Sequence, residues 1–358
     1  MSKLTRREFL CRVAGLGLGT LAGSWILGGC GSQPASPTAV PVRPTDIPPT
    51  AAPLPTATAA ATSLPTSPSA TALPPTATAA PTAMPTLAHP HLAVARGGQP
   101  EELVRAAMAA LGGMERFVQS GDDVIIKPNI CIAYHTFEYA ATTNPWVVAE
   151  LVRMCLEAGA RRVRVMDSPF GGGPEEAYIR SGIQEQVTAA GGQMEIMTRF
   201  KFLPTQIPSG LDLRTKDIYD DVLQADVLID VPIAKHHSLA RLTLGMKNLM
   251  GVITNRPEMH ANLGQRLADL TSRVRPHLTV VDAVRILMDH GPTGGSLDDV
   301  KQLDTVIASS DIVAADSYAA TLFGLRPDDL DYVKAGASMG LGRSDLANLK
   351  TEEISVGT

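Results

Sequence analysis

From residue 89 onward, short apolar runs alternate with stretches whose apolar residues recur every three or four positions. The runs at 123–127, 162–167, 226–231, 278–282 and 305–308 are rich in Val and Ile and read as buried strands. The periodic stretches at 100–111, 146–158, 183–190, 259–274 and 311–323 read as amphipathic helices. Asn144 and Pro145 suit the cap and first turn of the second of these, and Gly159 its end. Apolar strands alternating with helices predict an α/β fold: a layered structure with a largely parallel sheet flanked by helices, in one body or two lobes. Residues 198–222 break the alternation and read as an inserted hairpin or a lobe boundary.

Before residue 89 the pattern changes. Thr5-Arg6-Arg7-Glu8-Phe9-Leu10 is a twin-arginine export signal, and Leu27-Gly28-Gly29-Cys30 is a lipoprotein cleavage box. The apolar run between them falls short of the ~20 residues of a spanning helix, and its glycines weaken it further. The reading is therefore a signal peptide over 1–29, removed on export, with lipid on Cys30. An uncleaved anchor is the alternative. Both place the rest of the chain on the extracytoplasmic face of a bacterial membrane, with the twin-arginine translocase and the lipoprotein-processing enzymes as partners. Residues 30–88 are almost wholly Pro, Thr, Ala and Ser. Such a composition has nothing with which to build a buried face, so this segment reads as a disordered spacer. Residues 89–358 are left as the α/β domain.

The net charge is −5, with Lys and Arg scattered. No basic stripe or aromatic platform suggests a nucleic-acid partner. Once Cys11 leaves with the signal and Cys30 carries lipid, only Cys131 and Cys155 remain. They read as two unpaired thiols, and an iron–sulfur cluster is not expected because its four cysteines are missing.

In open α/β sheets, ligands bind beyond the carboxyl ends of the strands. The polar residues of this chain gather there. Lys127-Pro128-Asn129 closes the first strand, and Thr142-Thr143-Asn144 either caps the next helix or holds an anion. Asp167-Ser168-Pro169 precedes a run of three glycines. The densest block is Asp230 to His237, followed by Leu242 to Gly251. A helix over 242–253 would place Thr243 and Lys247 beside an apolar stripe, with Lys247 at the buried boundary and its pKa lowered. Lys247, His237 and Lys235 are therefore the candidate catalytic residues, His237 as the proton carrier. Lys127, Asn129, Thr143, Asn248 and Asp316 are candidates for binding a small anionic ligand. Asp167 and Asp282 are candidate ligands for a divalent metal, and His260 and His290 add further ligand types. No dinucleotide loop, phosphate loop, zinc-protease helix or serine nucleophile elbow is present.

Ile126-Lys127-Pro128-Asn129, Asp167-Ser168-Pro169, Lys235-His236-His237, Leu244-Gly245-Met246-Lys247-Asn248 and Gly291-Pro292-Thr293-Gly294 occur in this order. The combination resembles the domain of unknown function 362 family over residues 120–345. The resemblance implies a shared α/β domain and a shared polar site, without naming a reaction. His236 departs from the Thr usual in the family, and the cluster-binding cysteines of some members are missing. His237 followed ten residues later by Lys247 is also similar to the nickel-pincer lactate racemase family, where the lysine carries the cofactor. Asp167 stands where that family places a histidine. The expectation is an enzyme acting on a small anionic substrate by acid/base or metal-assisted chemistry, or else a solute- or metal-binding lipoprotein without catalysis.

Overall fold

The computed structural model describes residues 89–357; the export signal, Cys30 and the spacer read from the sequence lie outside them. Twelve strands occur among the described residues: β1 (Leu92–Arg96), β2 (Asp123–Pro128), β3 (Arg162–Val165), β4 (Gln193–Met194), β5 (Phe202–Gln206), β6 (Thr215–Tyr219), β7 (Val227–Val231), β8 (Ile233–His237), β9 (Arg241–Thr243), β10 (Leu278–Leu287), β11 (Val300–Ser309) and β12 (Thr351–Ser355). One sheet runs in the order β12-β1-β11-β10-β7-β2-β3-β4, with β8 and β9 attached beside β10. Its central pairs, β10·β7, β7·β2, β2·β3 and β3·β4, are parallel. Two antiparallel pairs, β1·β11 and β10·β11, lie toward one edge.

Successive strand residues face opposite sides, so each central strand feeds two apolar layers. Val124 and Ile126 enter one layer with the helices Pro100–Ala110, Pro145–Glu157 and Ile183–Ala189. Ile125 and Leu228 enter the other with Leu263–Arg273, Ile312–Thr321 and Asp331–Ser338. The fold is thus helix–sheet–helix, with a mostly parallel sheet buried on both faces.

Pro232 divides what is otherwise one strand. Proline has no N–H to give a ladder, and the chain passes from β7 to β8 along a single neighbour: β10 pairs with β7 at Leu278 and Thr279, then with β8 at Asp282 and Leu287. This break carries Lys235 and His237 beyond the end of β7, with Lys235 still in parallel register with Leu287 of β10. The irregular 198–222 region contains the antiparallel hairpin β5–β6.

Two expected helices differ. Residues 259–274 divide into a 3₁₀ segment, Arg256–Asn262, and the helix Leu263–Arg273. The helix expected over 242–253 is three elements: β9, the single turn Gly245–Asn248, and a 3₁₀ turn, Leu249–Val252. Thr243 is therefore a strand residue paired with Lys235 and not a helical neighbour of Lys247. The cause is Asp316, whose buried carboxylate accepts from the N–H groups of Gly245 (2.7 Å) and Met246 (2.9 Å) and starts the helix there.

Candidate functional site

The site forms where β2, β3 and β8 end on the face that holds Ile125. Lys127 is wholly buried, and its Nζ donates to Asp167 Oδ1 (2.8 Å), the Pro128 carbonyl (2.9 Å) and Asn248 Oδ1 (3.1 Å). An ammonium has three donors, so all of them are engaged. Asp167 also accepts from the backbone N–H of Ile130 (2.7 Å) and Ser168 (2.9 Å). Removing one partner from such a buried pair costs about 3–5 kcal/mol, because the other is left charged and alone.

The amides of Asn248 and Asn129 pass this order across the site. Asn248 donates to Asp230 Oδ1 (2.8 Å) and accepts from Asn129 Nδ2 (2.9 Å). Asn129 Oδ1 in turn accepts from Lys235 Nζ (2.9 Å). Lys235 also faces the carbonyls of Ala141 (2.6 Å) and Pro292 (2.8 Å), with Cys131 Sγ at 3.3 Å. Desolvation lowers the Lys235 pKa. Burial also raises the Asp230 carboxyl well above the usual range, and its Oδ2 has no partner. Burial therefore disfavours the charged form of Asp230.

Above this network lies a cavity of about 370 Å³, lined by Asn129, Cys131, Asp167, Lys235, His237, Lys247, Asn248, Arg256 and His260 among others. That volume suits a small molecule. Lys247 is only 9% exposed, and among the described residues none hydrogen-bonds its Nζ. Burial, then the charges of Lys235 and Arg256, lower its pKa to about 7. The amine is therefore substantially neutral at physiological pH, which suits a base or a nucleophile.

His237 is placed differently from expectation. Its Nδ1 accepts from the backbone N–H of Leu239 (3.1 Å) and Ala240 (3.3 Å). That fixes Nδ1 as the bare nitrogen and puts the single proton on Nε2. Burial first, then Lys247 and Lys235, push its pKa down to about 3. His237 is thus a neutral N–H donor at the cavity, a different arrangement from the proton carrier expected. His236 lies outside the cavity lining and accepts from the Gly291 N–H (3.1 Å).

Four other expected site residues support the cavity from behind. Lys127 is engaged as described. Thr143 Oγ1 accepts from the Asn129 N–H and donates to the Val231 carbonyl, both at 2.8 Å. Asp316 holds the start of the Lys247 helix, and burial raises its pKa to about 7. Asp282 accepts from the N–H of Asn144 (2.7 Å) and Val284 (3.0 Å), and burial raises it to about 6. These residues position the wall and do not line it.

The two candidate metal ligands, Asp167 and Asp282, are not brought together. Asp167 is tied to Lys127, and Asp282 faces backbone N–H groups away from the cavity. His290 pairs with Asp299 at 2.8 Å and is not part of the lining. Among the described residues no three His, Cys, Asp or Glu side chains are grouped to hold a metal. Asp167 and Asp282 therefore do not form a common donor set for a divalent cation.

Sequence reasoning missed Arg256. Its guanidinium is largely buried and donates to the Ser168 carbonyl (2.5 Å) at the cavity wall. Cys131 lines the cavity, whereas Cys155 lies in the apolar layer, where burial pushes its thiol up to about 12; both are free thiols.

Fold and site together define a layered α/β protein with a cationic pocket at its strand ends. The chain belongs to the family described as Domain of unknown function (DUF362), whose model matches residues 124–321. It is similar to the thylakoid-associated protein sll1697 of Synechocystis sp., at 25% identity over 253 residues, which cover 66% of this chain and 74% of that one. Two solved structures are more distantly similar. One is the lactate racemase apoprotein of Thermoanaerobacterium thermosaccharolyticum (TM-score 0.43, 11% identity, 64% of this chain and 56% of that one). The other is a Thermotoga maritima protein (TM-score 0.40, 12% identity, 63% of this chain and 60% of that one). The chain spans less than two thirds of either structure.

Proposed function

We propose that this domain is an enzyme acting on a small anionic substrate, with Lys247 as its proton acceptor or nucleophile. The observation that carries the reading is the amine of Lys247, without a hydrogen-bond acceptor among the described residues and buried in a cavity whose other cationic walls are Lys235 and Arg256. Those two cations attract a carboxylate or phosphate. The Nε2–H of His237 is a preformed donor for an oxygen that gains negative charge during reaction. We further propose that export by the twin-arginine route and lipid on Cys30 hold the domain at the outer face of a bacterial membrane. Substituting Cys30→Ala should then release the protein from the membrane fraction. Among the described residues no helix is long and apolar enough to cross a membrane.

The test is a screen of small carboxylates and phosphates against the purified protein, by thermal shift for binding and by NMR for turnover. A turned-over compound should still bind the Lys247→Met variant but no longer react. If compounds bind, none reacts, and Lys247→Met binds them equally well, the non-catalytic solute-binding reading replaces this one.

A further inference from the structure

Three groups lining the cavity are able to attack an electrophilic carbon: Cys131, His260 and Lys247. The Cys131 thiol is held by its neighbours, with Sγ at 3.2 Å from the Ala141 carbonyl and 3.3 Å from Lys235 Nζ. His260 is only slightly buried. Lys247 is the deeply buried one, and among the described residues no hydrogen bond engages its amine. Beside it stands His237, whose Nδ1 is taken by two backbone N–H groups, so that it presents Nε2–H as a fixed donor. A proton-abstracting lysine needs only its lone pair. A lone pair and a neutral N–H donor in one cavity suit addition to a C=O group, with nitrogen attacking carbon and the oxygen taking the hydrogen bond. Arg256 and Lys235 then ask for a negative group elsewhere on the same molecule.

We infer that Lys247 condenses with a small aldehyde or ketone that carries an anionic group and forms an imine with it. This inference rests on the small-anion reading above and names its substrate class. The amine nitrogen bonds to the carbonyl carbon as the carbonyl π pair moves onto oxygen. A proton passes from nitrogen to that oxygen, giving a carbinolamine. The C–O bond then breaks, the nitrogen lone pair closes the C=N bond, and hydroxide leaves with a proton as water. The sum is amine plus carbonyl giving imine plus water, with nothing oxidised or reduced.

The anionic group is a carboxylate or a phosphate, and two probes separate them. The full-length protein is incubated at pH 7 with pyruvate or with dihydroxyacetone phosphate in the presence of cyanoborohydride. Reduced adducts are then mapped by peptide mass spectrometry. About half of Lys247 is unprotonated at that pH, against roughly one in 2,500 for an ordinary lysine. Labelling at Lys247 is expected to saturate with one of the probes, to exceed that at exposed lysines by about 100-fold, and to vanish in Lys247→Met. Saturable binding of a probe without an adduct at Lys247 overturns the imine and leaves the small-anion reading standing. Neither an adduct nor saturable binding overturns both. Adducts spread evenly over surface lysines also refute the imine.

Discussion

Substituting Lys247→Met should make the protein more stable, and the gain should depend on pH in a defined way. Lys247 is buried with its pKa lowered from 10.5 to about 7. Between these values the unfolded chain binds more protons than the folded one, so stability rises with pH across that window. Below pH 7 the lysine is protonated in both states, and the full cost of the buried charge is present. Each pH unit between the two pKa values corresponds to about 1.4 kcal/mol, so that cost is about 4–5 kcal/mol. By pH 10 the unfolded lysine is losing its own proton, and the difference falls to about 1 kcal/mol. Methionine has a similar shape and carries no charge, so Lys247→Met removes this cost and adds only a pH-independent packing gain. Urea unfolding of both proteins at pH 6, 8 and 10 measures the gap. It should be widest at pH 6 and close steadily toward pH 10. A constant gap, or a variant less stable than the parent at pH 6, would show that Lys247 is neither buried nor unpaired as described.

The remaining predictions concern the parts around that lysine. A Cβ at Gly251 would overlap Asp167 Oδ1 and Lys127 Nζ, so Gly251→Ala should disrupt their ion pair at a cost of about 3 kcal/mol, read by the same unfolding assay. Asp167→Asn, which leaves Lys127 buried and uncompensated, should cost a similar amount. His237, with its pKa near 3, should show the neutral Nε2–H tautomer in nitrogen-detected NMR down to pH 4; an imidazolium signal at pH 5 would refute its assignment as a neutral donor. Above pH 7, binding of an anion should draw a proton onto Lys247, because the new negative charge favours the ammonium form. Calorimetry in buffers of different ionisation enthalpy should therefore report proton uptake at pH 8, and uptake should be lost in Lys247→Met.

The parallel centre of the sheet was legible because Val124–Ile126, Val163–Val165 and Val227–Val231 are buried on both faces, so that their apolar runs are interrupted only by Arg164 and Asp230. The edge was not. Strand β12 is mostly exposed and carries Thr351, Glu352, Glu353 and Ser355, a composition that reads equally well as loop. Strand β11 begins before its apolar half, at exposed positions such as Lys301 and Gln302, where pairing with β10 rather than burial keeps the strand going. In the site, Lys235, His237 and Lys247 stand out as polar residues embedded in apolar runs. Asp282 and Asp316 stand out for the same reason, but their task differs from the one their pattern suggests. Sequence alone does not distinguish a carboxylate facing a cavity from one that accepts two backbone N–H groups, since both are buried acids at element ends. Arg256 escapes notice because Asn255-Arg256-Pro257-Glu258 reads as a solvated turn. Only the approach of that turn to Ser168 places its guanidinium in the wall.

The three lysines of the site show how the fold assigns roles to chemically identical groups. Lys127 is held by a carboxylate, an amide and a carbonyl, and Lys235 by an amide oxygen and two carbonyls. Both ammoniums have acceptors that replace lost water. Lys247 has none, because Asn248, its neighbour in the same helical turn, turns its amide toward Lys127, Asp230 and Asn129 instead. Asp230 is turned toward the Asn248 amide, and its burial disfavours the charged form that could have balanced a third cation. Asp167, the carboxyl group that lines the cavity, is already paired with Lys127, and among the described residues no acid pairs with Lys235 or Arg256. The local charge is positive even before Lys247 takes a proton. A wall of this kind lowers the affinity of Lys247 for a proton and raises the affinity of the cavity for an anion through the same electrostatic field. The reactive amine and the preference for a negatively charged ligand are therefore two consequences of one arrangement of charge, and a substitution that neutralises Arg256 should weaken both together.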